Sequence, residues 1–179
     1  MKTLITGGIK SGKSRHALVL AGERGHNKGF VATAEALDDE LRDRIASHRL
    51  ERGNAYQTIE APIDLAAAIA ESSRSCDLVV VDCITLWVGN LFHHFENQPD
   101  QVHRRIETFF ELVQLSEANL VFVTNEVGLG VVPANPLVRA YADELGRVNQ
   151  RLVRQCDEVI FMVSGIPQRL RSPQGVTHA

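Results

Sequence analysis

"KTLITGGIKSGKS", residues 2–14, decides the fold. A short run of strand character, KTLIT, enters a turn with the spacing glycine, four residues, glycine, lysine, serine, which is that of a Walker A loop. That spacing has meaning only in context, since a strand must precede it and a helix follow; residues 13–24 have helical period, so both conditions hold. The residue types follow from the chemistry of phosphate. Gly7, Gly8 and Gly12 let the backbone of Ile9, Lys10 and Ser11 curl so that N–H groups face phosphate oxygens, and a helix N-terminus adds partial positive charge. Lys13 supplies a compact cation for the terminal phosphates, and the Ser14 hydroxyl suits Mg2+. GTP or ATP is therefore the expected ligand class.

Outward from this loop, β-rich runs at 2–6, 29–33, 56–60, 77–82, 119–124 and 158–164 alternate with helical segments at 13–24, 37–51, 63–73, 84–95, 101–116 and 136–155. Several runs, such as LVVVD and NLVFV, are almost continuously apolar, as strands buried on both faces must be. The expectation is an α/β fold of the P-loop NTPase kind, a mostly parallel sheet with helices on both faces. Its length of 179 residues suits one domain, placed at 1–170, with residues 171–179 as a flexible tail. Residues 92–100, FHHFENQPD, read as the most loop-like interior stretch, whereas Asn135 followed by Pro136 marks a capped helix start.

Composition excludes several classes. A formal charge of −3 argues against nucleic-acid binding through a basic surface. Cys76, Cys83 and Cys156 are too few and scattered for a disulfide framework or zinc cluster and read as core thiols of a cytoplasmic protein. Neither a signal peptide nor an apolar run of membrane-spanning length is legible, so no stable membrane insertion is expected.

Strand ends supply the remaining polar groups. Asp82 ends an apolar strand at the edge where open α/β sheets bind ligands, and can serve either metal or ribose. Thr124, Asn125 and Glu126 reach the same edge, followed by Gly128 and Gly130 in a loop, and Glu60 ends the run QTIE. One histidine stands out: the stripe Leu37, Leu41, Ile45 continues to His48, so this imidazole shares the apolar face of its helix. By periodicity alone it is either a satisfied half-buried histidine or a group aimed at a ligand. His16, His26, His93, His94, His103 and His178 show no metal-ligand spacing and lie on the P-loop helix beyond its first turn, in irregular segments, on a charged helix or in the tail.

Taken together, "LITGGIKSGKSRHA", "VATAEALDDELRDRIASHR", "VVVDCITLWVGNL", "VTNEVGLGVVPANPLVRAYADELGRVNQRLV" and "DEVIFMVSGIPQRL" resemble the bifunctional adenosylcobinamide kinase / adenosylcobinamide-phosphate guanylyltransferase family of cobalamin biosynthesis over nearly the whole chain. The resemblance implies phosphorylation of adenosylcobinamide, then transfer of GMP from GTP to the phosphate through a covalent guanylyl-histidine, and a homotrimer. It places the nucleophile at His48. It also places nucleotide contacts along Ala32, Thr33 and Ala34, at Arg49, Leu50, Glu51 and Arg52, and at Glu60 and Asp82. Ser47, Arg49 and Asp82 stand where related sequences often carry histidine, lysine and glutamate. The apolar VGLGVVP stretch and the Trp87 region are open to either a substrate or subunit contact or plain core and loop. A monofunctional P-loop small-molecule kinase and a non-catalytic nucleotide sensor are the competing readings.

Overall fold

The computed structural model describes residues 1–35, 42, 46, 53, 55–96, 98–130 and 132–173. Strand β1 (Lys2–Gly7) leads through the glycine-rich loop into helix α1 (Lys13–Arg24), which is followed by β2 (Lys28–Ala32) and β3 (Gln57–Glu60). Then come α2 (Leu65–Ser72), β4 (Leu78–Asp82), α3 (Ile84–His94), α4 (Pro99–Leu115) and β5 (Asn119–Val123). A single 3-10 turn (Val127–Leu129), α5 (Pro136–Gln155), β6 (Glu158–Val163) and β7 (Ile166–Arg171) complete the described chain.

The strands form one sheet in the order β3-β2-β4-β5-β1-β6-β7. All pairings are parallel except that of β7, which runs antiparallel to β6. Parallel strands need long crossovers, and helices fill them. Alternation within the apolar runs sorts side chains to two faces: Leu4, Val79, Val81, Leu120 and Phe122 join a large core with Trp87, Phe109 and Val148. Ile5, Val80, Val121 and Val123 join a smaller one with Ala17 and Leu20 of α1. Burial on both faces is why these strands lack the polar-apolar alternation of a half-exposed sheet. Because β5 lies between β1 and β4, one strand separates the loop-bearing strand from the strand that ends in Asp82.

Sequence and structure differ in three places. Residues 92–94 are the last turn of α3 and 99–100 begin α4, because Phe92 and Phe95 pack on the core and Pro99 starts the next helix without needing a backbone donor. His93 and His94 are thus helical. Trp87 is 1% exposed, tilts against Phe109 at 5.0 Å and donates its indole N–H to the Ile63 carbonyl at 2.9 Å, so of its two readings the core one holds. Strand β7 was not anticipated, since all six of its residues are exposed and show no alternation. Its signal was the turn: Ser164 and Gly165 both have positive φ, as a two-residue hairpin turn between β-branched residues requires. Arg171, expected in the tail, ends this strand and bonds the Val153 and Cys156 carbonyls through Nη1. The helix expected at 37–51 falls largely outside the described residues.

Candidate active site

The glycine-rich loop is set by backbone geometry. Gly7 has φ +146°, and a Cβ there would sit 2.5 Å from the Met162 carbonyl oxygen on β6, so a side chain has no room. Gly12 caps α1 at φ +94°, and Lys10 between them also has positive φ. The loop is braced from the far side by the β6–β7 turn, whose Gly165 N–H donates to the Ser11 carbonyl at 3.0 Å. Lys13 is nearly buried, and its ammonium donates across the loop to the Gly8 carbonyl at 2.5 Å.

Above the C-terminal edge of the sheet lies a cavity of about 1500 Å3. That exceeds the ~300–1,000 Å3 of ordinary small-molecule pockets and suits more than one substrate. It gathers Gly8 through Arg15 from the loop and α1, Ala32 at the end of β2 and Ala34 beyond it, Glu60 from β3, Asp82 from β4, and Asn125, Glu126 and Val127 beyond β5. Leu18, Phe30, Leu86 and Tyr141 form its apolar wall. Exposed Ile9, Leu129 and Val132 give the same edge an apolar surface.

Most of the residues singled out in the sequence therefore meet here. Gly7 lies outside the lining and closes the loop from behind. Thr33 turns inward: it is fully buried, accepting from the Cys83 N–H at 2.7 Å and donating to the Cys83 carbonyl at 2.8 Å, so its hydroxyl secures the β4 exit. The Asp82–Cys83 peptide itself is cis. His48, Arg49, Leu50, Glu51 and Arg52 lie outside the described residues, as do Leu37, Leu41 and Ile45.

Cys83 also lines the cavity, but burial, helped by the neighbouring Asp82 charge, pushes its thiol up to about 12. It stays protonated and is a poor nucleophile at neutral pH. Burial likewise raises the Tyr141 phenol to about 12, and its hydroxyl donates to the Thr85 carbonyl at 3.1 Å. The exit of β5 is held by buried side chains: Thr124 donates to Asn149 at 2.8 Å, Asn149 donates to the Asn125 carbonyl at 3.1 Å, and Thr85 accepts from the Asn125 N–H at 2.7 Å.

For a divalent cation, the hydroxyl of Ser14 and the carboxylate of Asp82 are hard oxygen donors on the same cavity. No cluster of three or more His, Cys, Asp or Glu side chains suited to a metal occurs among the described residues. Few protein oxygens, with phosphate and water completing the shell, is how Mg2+ is usually held, so the donor set fits.

A family model for cobinamide kinase / cobinamide phosphate guanyltransferase matches residues 3–170. The chain belongs to this family. Membership makes it a bifunctional kinase and guanylyltransferase of cobalamin biosynthesis. Among relatives of the cobinamide kinase / guanyltransferase family, it is 39% identical over 171 residues to the bifunctional adenosylcobalamin biosynthesis protein CobP of Pseudomonas aeruginosa, covering 96% of this chain and 98% of that one. It is 38% identical over 182 residues to the corresponding protein CobU of Salmonella typhimurium, covering 96% and 100%. Two solved structures share the fold alone. A type III secretion ATPase aligns with TM-score 0.51 at 10% identity over 89% of this chain and 50% of its own. The assembled ATPase EscN of enteropathogenic E. coli aligns with TM-score 0.55 at 9% identity over 91% and 43%. No helix among the described residues is long and apolar enough to cross a membrane.

Within this family site, the sequence reading missed the apolar wall and the brace at Gly165. Leu18 was the most accessible of these, one helical turn beyond Ser14; Tyr141 reaches the cavity from α5, which no local pattern announces.

Proposed function

We propose that the chain phosphorylates the aminopropanol hydroxyl of adenosylcobinamide and then transfers GMP from GTP to that phosphate, with the guanylyl group carried on His48 between the two half-reactions. The observation that supports this reading best is a single large cavity uniting the phosphate loop with polar ends of β3, β4 and β5. In the second reaction a neutral imidazole nitrogen of His48 attacks the α-phosphorus of GTP and the bond to pyrophosphate breaks. A phosphate oxygen of the corrinoid then displaces the imidazole and takes the GMP. Lys13 and the loop N–H groups neutralise the departing pyrophosphate in the first half and position the transferred phosphoryl group in the kinase reaction. Ser14 and Asp82 are the residues that would hold Mg2+, which would add charge neutralisation there.

Strand spacing supports different roles for the two carboxylates Asp82 and Glu60. Neighbouring strands lie ~4.8 Å apart, so Asp82, two strands from β1, ends on the order of 10 Å from the loop strand, and Glu60, four strands away, about 19 Å. Asp82 accordingly belongs with metal and phosphates, Glu60 with sugar or base. The exposed apolar side chains Leu129 and Val132 offer the corrinoid a surface beside the phosphates. A catalytic domain over 1–170 and a homotrimer are part of the same proposal, and light scattering measures the latter.

The test follows two labels. With adenosylcobinamide and Mg2+, GTP labelled at the γ-phosphate should yield labelled corrinoid phosphate, and GTP labelled at the α-phosphate should yield the corrinoid-GDP product with release of pyrophosphate. His48→Asn should lose only the second product. Corrinoid phosphate alone from the wild type would make the chain a monofunctional kinase, and binding without turnover would make it a sensor.

A further inference from the structure

We propose that Glu126 accepts the proton of the corrinoid hydroxyl in the kinase step and has no corresponding task in guanylyl transfer; this rests on the bifunctional reading above. Among the described residues three carboxylates face the cavity, and of these Glu126 is the one beside the phosphate loop, because β5 neighbours β1 directly. Its backbone N–H donates to the Gly7 carbonyl at 3.4 Å, at the start of the loop. Its side chain is aimed: the Thr6 hydroxyl donates to Oε1 at 2.6 Å, while Oε2 has no hydrogen-bond partner among the described residues. Asn125, the residue before it, is fixed at both its N–H and its carbonyl by Thr85 and Asn149, so the carboxylate stands on a rigid exit. Val127 and Leu129, which follow at once, are exposed apolar side chains, and Leu129 is one of the two proposed to meet the corrinoid.

The two reactions differ in what their acceptor must lose. In the kinase step the acceptor is an alcohol: its O–H bond breaks as its oxygen bonds the γ-phosphorus, the bond to the β-phosphate oxygen breaks, and the nucleoside diphosphate departs. The proton needs a carboxylate, the part an aspartate plays in protein kinases. Here Glu126 Oε2 takes it and later releases it to water. In guanylyl transfer the acceptor is a phosphate already ionised at neutral pH and the nucleophile is a neutral imidazole, so neither has a proton to surrender before attack.

Glu126→Gln keeps shape and the bond from Thr6 but cannot take the proton. The measurement is the ratio of the kinase rate on adenosylcobinamide to the GMP-transfer rate on adenosylcobinamide phosphate, with thermal unfolding and nucleotide affinity as checks on folding. The ratio should fall about 100-fold or more. Thr6→Val, which frees the carboxylate to turn, should lower kinase kcat about 5-fold without raising KM for either substrate. A ratio within 3-fold of wild type, or an equal fall of both rates, overturns the assignment. If Glu126→Gln fails to fold, a Thr6→Val protein with unaltered kinase kcat overturns it instead. Absence of GMP transfer by the wild type would defeat the bifunctional reading, while the kinase rate of the variant would still decide the role of Glu126.

Discussion

Two threonines on one strand hold two glutamates, one toward each end of that strand. Thr3 and Thr6 of β1 point to opposite faces of the sheet, three residues apart. Thr3 donates to Glu158 Oε2 at 3.1 Å, and the same oxygen receives Arg24 Nη1 at 2.7 Å while Oε1 faces Arg169 Nε at 2.9 Å. Glu158 is fully buried between two arginines; Arg24 and Thr3 hydrogen-bond its Oε2, while Oε1 has the ion-pair contact with Arg169 but no hydrogen bond among the described residues. Thr6 donates to Glu126, half-exposed on the cavity wall, and one carboxylate oxygen there has no hydrogen-bond partner among the described residues. The pairing chemistry is the same at both ends. A buried carboxylate held by two arginines ties β1, β6, β7 and the end of α1 together; one held by a threonine alone among the described residues, beside a phosphate loop, can do chemistry.

Four variants probe this contrast, and the largest effect belongs to the cavity end. Lys13→Ala should lower both kinase and guanylyl-transfer rates by about 10²–10³-fold, since a pre-positioned charge is removed from both reactions; initial rates with each acceptor measure it. Next is Glu158→Ala, which leaves two arginines without their partner. The expected cost is about 3 kcal/mol, the low end for a broken buried pair, because Arg24 and Arg169 keep 25% and 40% exposure. Calorimetry should show Tm lower by roughly 6–12 °C with the ratio of the two activities kept.

A third prediction concerns acid. Burial alone would raise the Glu158 carboxyl, but the hydrogen bond and charge of Arg24, with Thr3 and Arg169, outweigh it and hold the group below its ordinary value. A carboxylate lowered in the folded state contributes stability above its unfolded value, near ~4.3, and loses that contribution as pH falls through the folded value. Glu158→Gln should therefore flatten the loss of Tm between neutral and acid pH, and equal slopes for variant and wild type would contradict the assignment. The smallest effect is Thr3→Val, which should cost about 1 kcal/mol of stability and spare kcat, the reverse of Thr6→Val. Loss of kinase turnover in Thr3→Val would erase the distinction between the ends.

How far the sequence could be read follows the same division. The phosphate loop was legible because its glycines, lysine and serine are consecutive and their conformations are locally forced. Asp82 was legible as the polar end of an apolar run, and Glu60 as the end of the run QTIE. The Thr6–Glu126 pair was not, because it joins residues 120 positions apart that meet only once β5 lies beside β1. Tyr141 and the Gly165 brace depend on packing in the same way. Strand β7 escaped because exposed strands leave no burial pattern, although Ser164 and Gly165 carried its turn. Residues 92–94 fell both in the helical run 84–95 and in the loop-like stretch 92–100; Phe92 and Phe95 packed on the core decide for the helix. Thr33 was placed along the nucleotide by family resemblance; it is fully buried, and its hydroxyl bonds the backbone of Cys83.

The central claim, that one cavity supports a kinase and a guanylyl-histidine transferase, meets its most direct test in peptide mapping. The wild-type protein, incubated with Mg2+ and GTP labelled at the α-phosphate, should carry acid-labile, alkali-stable label, and tryptic digestion under alkaline conditions should place it on the peptide containing His48. Label on any other residue, or none while the kinase remains active, would contradict the account.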